Sequence, residues 1–208
     1  MKHEIIKVSQ NNPDKKVIDK ISEILNAGKI VVLPTDTVYG ICVSTETENA
    51  IRKLSEIKGR PPRKSIPLII GQHEQLFQFT NQISSRKIKL LESIWPSPVT
   101  FVFESEKFSE FSEDGIAVRL PKQELCRKLA LNAGPFLSTS ANKTGKPILD
   151  NIEEICLHFK KEVQFFLDGG TIKENKASTI VSLKKDVPEL IRNRKFPFEK
   201  IIHVWQKI

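Results

Sequence analysis

The amino-acid sequence predicts an α/β fold with a mixed sheet. Two observations carry that prediction. Short β-branched and aromatic runs outnumber the amphipathic helical segments, and the two kinds are interleaved without strict alternation. No internal repeat is present. The Glu104–Asp114 stretch is the only linker-like segment, and it is too short to divide domains. A chain of 208 residues suits one large domain, so residues 1–208 are taken as a single unit.

Glu4–Val8 predicts a first strand. Asn11-Asn12-Pro13-Asp14 is a turn and a helix start, with Pro13 near the first helical position. Val17, Ile18, Ile21, Ile24 and Leu25 recur at helical spacing up to Gly28, a suitable stop. Ile30–Leu33 is a β-branched run bounded by Gly28 and Pro34, and it predicts a buried strand. Its carboxyl end opens into a compact loop, Pro34–Gly40, with three small oxygen-bearing side chains, Thr35, Asp36 and Thr37. Thr47–Ile57 predicts a helix with Ala50, Ile51, Leu54 and Ile57 on one face. Further strands are predicted at Pro67–Ile70, Val99–Phe103, Ile116–Leu120, Phe136-Leu137, Val163–Leu167, Ser178–Leu183 and Glu189–Arg192. Further helices are predicted at Leu76–Thr80, Ser84–Ile94, Gln123–Ala133 and Asn151–Phe159, with Asn151 as a cap. Phe196–Ile208 predicts a final strand or helix.

The formal net charge is +8 and 39% of residues are hydrophobic. Such a charge fits a polyanionic partner, nucleotide or RNA, and equally the solubility of a Lys-rich chain. The three cysteines, Cys42, Cys126 and Cys156, are an odd number without CxxC pairing. That argues against a disulfide framework and a zinc site, and it fits a reducing compartment. No apolar stretch approaches the ~20 residues of a membrane span, and the N-terminus has no signal-peptide core. A soluble cytoplasmic protein is expected.

Three clusters carry chemistry. Lys58-Gly59-Arg60-Pro61-Pro62-Arg63-Lys64 places four cations in seven residues on what reads as a rigid exposed loop at a helix end. Arg forks and Lys point charges suit phosphate oxygens. No GxxxxGK[ST] motif accompanies them. Ser138-Thr139-Ser140-Ala141-Asn142, followed by Lys143-Thr144-Gly145-Lys146, reads as a polar loop at a strand end, able to make turns or to bind phosphate. Arg119 lies between Val118 and Leu120, and period-2 alternation turns it to the opposite face. It is either an exposed edge cation or a carboxylate binder in a cavity. Arg192 sits similarly after Leu190 and Ile191.

PTDTVYG at 34–40, KGRPPRKSIPL at 58–68, WPSPVTFVF at 95–103, AVRLP at 117–121, STSAN at 138–142 and STIVSL at 178–183 together resemble the YrdC-like family of threonylcarbamoyl-AMP synthases. LIRNR at 190–194 matches more loosely. The pieces stand in the family's order along nearly the whole chain. The resemblance implies a single-domain α/β sandwich, with a twisted mixed sheet flanked by helices and a large basic cavity. It implies a nucleotidyltransferase that joins L-threonine, bicarbonate and ATP into L-threonylcarbamoyl-AMP and pyrophosphate. That product serves N6-threonylcarbamoyladenosine formation in tRNA and would pass to a tRNA threonylcarbamoyl transferase complex. By the same resemblance Lys58, Arg60, Ser140 and Asn142 are catalytic, and Thr35, Arg119 and Ser178 meet threonine, Thr35 through its hydroxyl. Arg60, Lys64, Ser138, Ser140 and Arg192 meet the nucleotide. Mg²⁺ accompanies ATP, with no metal site of the protein's own. The alternative is an RNA-binding protein of the same fold without synthase activity.

Overall fold

A computed structural model describes residues 3–59, 65–81, 83–105, 112, 115–172 and 174–208. In chain order the elements are β1 (Glu4–Lys7), α1 (Lys15–Asn26), β2 (Val31–Leu33), β3 (Gly40–Ser44), α2 (Glu48–Lys58) and β4 (Leu68–Ile69). A 3₁₀ segment (His73–Gln78), α3 (Ser85–Ile94), β5 (Val99–Phe103), β6 (Ile116–Arg119), α4 (Glu124–Asn132) and β7 (Phe136–Ser140) follow. The chain ends with α5 (Ile152–Phe159), β8 (Phe165–Asp168), β9 (Thr179–Ser182), β10 (Glu189–Arg192) and α6 (Phe198–Lys207).

Local chemistry sets the helix ends. The Asp14 carboxylate accepts the Lys16 N–H at 2.7 Å, so Asp14 caps α1 and Pro13 precedes the cap instead of opening the helix. Ser84 Oγ accepts the Lys87 N–H and starts α3, and the Asn151 side chain accepts the Glu154 N–H and starts α5. Gly59 ends α2 at φ +57°, the left-handed conformation that glycine adopts without a Cβ penalty. The tail is a helix, not a strand. Ile201 and Trp205 of α6 are buried, and the Arg86 guanidinium lies 4.0 Å over the Trp205 ring.

Two strand assignments differ from expectation. Gly40, expected to close the 34–40 loop, opens β3 (Gly40–Ser44), a strand that carried no predicted element over 41–44, and its five residues are all buried. Ser138 and Ser140, expected in a loop, belong to β7, which pairs antiparallel with β3 from Phe136 to Ser140. The 76–80 helical turn is a 3₁₀ segment placed slightly earlier, at His73–Gln78.

The ten strands form one mixed sheet in the order β1-β8-β2-β3-β7-β4-β6-β5-β9-β10. One face carries the larger core. There Ile51, Leu54, Leu90, Phe159 and Trp205 of the helices pack with Ile41, Leu68, Phe101, Val118 and Val181 of the strands. On the other face Ile21 and Leu25 of α1 and Leu125 and Leu129 of α4 cover Leu167, Val31, Leu33, Cys42, Phe136 and Ile69. This second layer stops at β4. Beyond it β6, β5 and β9 turn Arg119, Thr100, Val102, Ile180 and Ser182 toward open space. Ladder register explains the division, because Val118 pairs with Leu68 on the core side while Arg119 pairs with Ile69.

Tyr39 ties the 34–40 loop to the end of β8. Its hydroxyl donates to the Gly170 carbonyl at 2.8 Å and accepts the Gly169 N–H at 3.1 Å. Burial pushes its pKa up to about 12, so the bond persists through the ordinary pH range. Tyr39→Phe leaves both backbone partners without that hydroxyl. We expect it to lower unfolding stability by about 1–3 kcal/mol, measured as a shift in urea midpoint with unchanged slope.

Candidate functional site

The open half of the sheet forms a cavity of about 730 Å³. Its floor is Thr100 and Val102 of β5, Ala117 and Arg119 of β6, and Ile180 and Ser182 of β9. Ser138 and Ser140 of β7 and Gly40 of β3 form one side, while Lys184, Glu189 and Arg192 stand at the other. Strand alternation supplies this mixed floor, in which Thr100, Arg119 and Ser182 stand among Val102, Ala117 and Ile180. Phe101 goes to the core, and Thr100 and Val102 on either side of it go to the cavity. Gly40 permits the close packing of β3 on β7, since a Cβ there would fall 2.4 Å from Ser138 Oγ.

The 34–40 loop is held by a chain of hydroxyls. Thr35 Oγ donates to the Val38 carbonyl at 2.7 Å and accepts the backbone N–H groups of Thr37 and Val38. The Thr35 and Thr37 hydroxyls lie 2.9 Å apart, and the Thr35 proton already goes to Val38, so Thr37 is the donor between them. Thr37 Oγ in turn accepts from Arg119 Nη1 at 2.7 Å. Thr35 lines the cavity as expected, but its hydroxyl closes its own turn instead of standing free for a ligand. A threonine after proline at a strand end has such backbone donors close at hand.

Arg119 is a cavity residue on an interior strand, not an exposed edge cation, and it is 6% exposed. Ser178 and Arg192 face it across β9 and β10. Ser178 Oγ shares a 2.8 Å bond with Thr100 Oγ, and Arg192 donates through Nε and Nη2 to the Ser178 carbonyl at 3.2 and 2.9 Å. Burial, then Arg194 and Arg119, push the Arg192 pKa below its ordinary value.

Lys58 departs from expectation. It is the last residue of α2, only 4% exposed, and not part of an exposed loop. One helical turn after Leu54 it falls on the buried face, with its ammonium against oxygens. Nζ donates to the Ser140 carbonyl at 2.5 Å, to Asn142 Oδ1 at 3.0 Å and to the Asn142 carbonyl. Ser140 Oγ donates to Asn142 Oδ1 at 2.6 Å. Lys58, Ser140 and Asn142 therefore meet, although the first and last of them are 84 positions apart in sequence. Arg60 and Lys64, expected at the same site, lie outside the described residues. The chain is described again from Ser65, which lines the cavity.

Several cavity residues were given no role from the sequence. Thr37 and Thr100 lie within the 34–40 and 95–103 motifs, and Thr100 also alternates with Phe101, whereas Lys184 and Glu189 give no local signal. The three cysteines are buried and unpaired. Burial pushes the Cys42 thiol up to about 12 and Cys126 well above its usual value, so neither is a ready nucleophile.

The buried ammonium predicts a structural cost that an exposed loop would not carry. Lys58→Met leaves the Ser140 and Asn142 oxygens without their donor. We expect a loss of about 1–3 kcal/mol in urea unfolding. Faster hydrogen exchange should follow at the Thr144 N–H, which donates to the Lys58 carbonyl at 3.0 Å.

Comparison with known proteins places this geometry. A family model described as telomere recombination, the Sua5/YciO/YrdC model, matches residues 23–193. A putative threonylcarbamoyl-AMP synthase of Methanocaldococcus jannaschii is 31% identical over 208 residues, covering 97% of this chain and 98% of that one. A threonylcarbamoyl-AMP synthase of Pyrococcus abyssi is 32% identical over 182 residues, covering 85% of this chain. This chain spans 54% of that relative's length. The crystal structure of P. abyssi Sua5 complexed with L-threonine superposes with a TM-score of 0.89 at 30% identity, over 97% of this chain and 60% of that chain. Its fold is the mixed α/β arrangement expected from the sequence. With the match running from α1 through β10, the chain belongs to the Sua5/YciO/YrdC family.

Proposed function

We propose that this chain is an L-threonylcarbamoyladenylate synthase, an enzyme of the nucleotidyltransferase class. The observation that carries it is the cavity floor, where Arg119, Ser178 and Arg192 line a pocket in a fold shared with a relative solved with L-threonine bound. Relatives at about 30% identity over most of the chain bear the synthase name. The reaction consumes L-threonine, bicarbonate and ATP and gives L-threonylcarbamoyl-AMP, pyrophosphate and water. The threonine amine forms the carbamate carbon–nitrogen bond, water leaves, and a carbamate oxygen attacks the α-phosphorus as pyrophosphate departs. No protein nucleophile enters these steps, so positioning and charge neutralisation are the chain's contributions.

Arg119 and Ser178 are assigned to the amino acid, Arg119 through its carboxylate. Ser138, Ser140 and Arg192 are assigned to the nucleotide, with Arg60 and Lys64 joining them. Lys58 and Asn142 support Ser140 from behind. Mg²⁺ enters with ATP as part of the substrate, held by phosphate oxygens and water. The product would be consumed by a threonylcarbamoyl transfer to tRNA. Among the described residues no helix is long and apolar enough to cross a membrane, and a cytoplasmic location is proposed.

Purified protein should release pyrophosphate from ATP only when threonine and bicarbonate are both present. Binding of RNA without any threonine-dependent pyrophosphate release would instead support the RNA-binding alternative.

A further inference from the structure

Arg119 is a cavity cation held from two sides, by Thr37 of the cavity wall and by Asp36 behind it. Nη1 is fixed by Thr37 Oγ at 2.7 Å. Nη2 lies 3.6 Å from Asp36 Oδ1, an ion pair between side chains only 7% and 12% exposed. Asp36 is itself anchored twice. Its Oδ2 accepts the Lys122 N–H at 3.2 Å, and its carbonyl accepts from Lys195 Nζ at 3.0 Å. Among the described residues Asp36 Oδ1 and Arg119 Nε, both buried, have no hydrogen-bond partner. Asp36 does not line the cavity, whereas Arg119 does.

We propose that Asp36 is a positioning residue, which aims the Arg119 guanidinium at the substrate carboxylate from the side opposite the ligand. This rests on the assignment of Arg119 to threonine made above. The chemistry supports it. An arginine held by one neutral hydroxyl alone can pivot about that bond. A carboxylate at ion-pair distance from the second nitrogen biases that pivot toward one orientation of the fork. The carboxylate also offsets a buried cation whose field already reaches Arg192. Oδ1 sits at ion-pair distance, beyond a hydrogen bond, so Asp36 orients Arg119 without tying up its donors.

The test uses the full chain carrying Asp36→Asn or Thr37→Val, the second removing the other hold should the first fail to fold. Apparent Michaelis constants for threonine and ATP are taken from pyrophosphate release. Arginine Nε–H signals are followed by ¹⁵N NMR, with Arg119 assigned from its loss in Arg119→Lys. We expect Asp36→Asn to raise the threonine constant about tenfold, as loss of a charged partner does. The ATP constant and kcat should stay within about threefold, since Asp36 does not line the cavity. The Arg119 Nε–H should exchange with solvent at least about tenfold faster once the guanidinium is free to turn. Equal rises in both constants, or a rise for ATP alone, overturn the proposal. So does an Arg119 signal unchanged in the variant. Absence of turnover in the unsubstituted protein would count against the synthase assignment, and the NMR comparison would still decide whether Asp36 positions Arg119.

Discussion

The structure depends on a mismatch between a wide sheet and the helices that cover it. Among the described residues ten strands form one sheet, but on one face α1 and α4 reach only from β1 to β4. Strands β6, β5 and β9 turn an apolar face toward the larger core, and among the described residues no helix packs on their other face. Exposing a second apolar face there would create a sticky patch. Alternation resolves the conflict, sending Phe101, Val118 and Val181 inward and Thr100, Arg119 and Ser182 outward. The cavity is thus the half of the sheet that no helix covers among the described residues, and alternation sets Thr100, Arg119 and Ser182 into its lining beside Val102 and Ile180.

That same geometry decides what could be read from the chain. Arg119 was legible because its neighbours are apolar and its period is unambiguous. β7 was cut short because Ser138 and Ser140 face a cavity, and a cavity-facing strand has the composition of a loop. β3 was missed because Gly40–Ser44 is buried throughout and too short to show a period. Lys58 shows a local signal overridden by a stronger one. It continues the Leu54 row at i+4, yet it stands in a run of cations whose composition says solvent. The Asp36–Arg119 pair had no local signal at all, because sheet order alone brings those two segments together.

Electrostatics then gives the cavity its character. Burial, then Arg194 and Arg119, disfavour the charge of Arg192. Only modest compensation is built in, Asp36 beside Arg119 and the Ser178 carbonyl beside Arg192. Cations fixed in place with incomplete compensation favour an entering anion without later reorganisation, which is the arrangement that stabilises developing negative charge.

Lys58 extends this logic beyond direct contact. Its ammonium sits at the C-terminal end of α2, where the helix dipole is negative, and its donors go to Ser140 and Asn142 oxygens. Lys143 caps the Ile57 carbonyl at 2.6 Å and the Thr144 N–H caps that of Lys58, so the helix end and the 142–146 loop form one unit. A cation so engaged has little left to donate to a ligand. Its charge is nevertheless unscreened by water at 4% exposure and lies directly behind Ser140. The Ser140 end of the cavity therefore feels a fixed positive field from a lysine that does not itself line the cavity. A phosphate oxygen placed there would be attracted through the serine and not by the lysine's own hydrogen bonds.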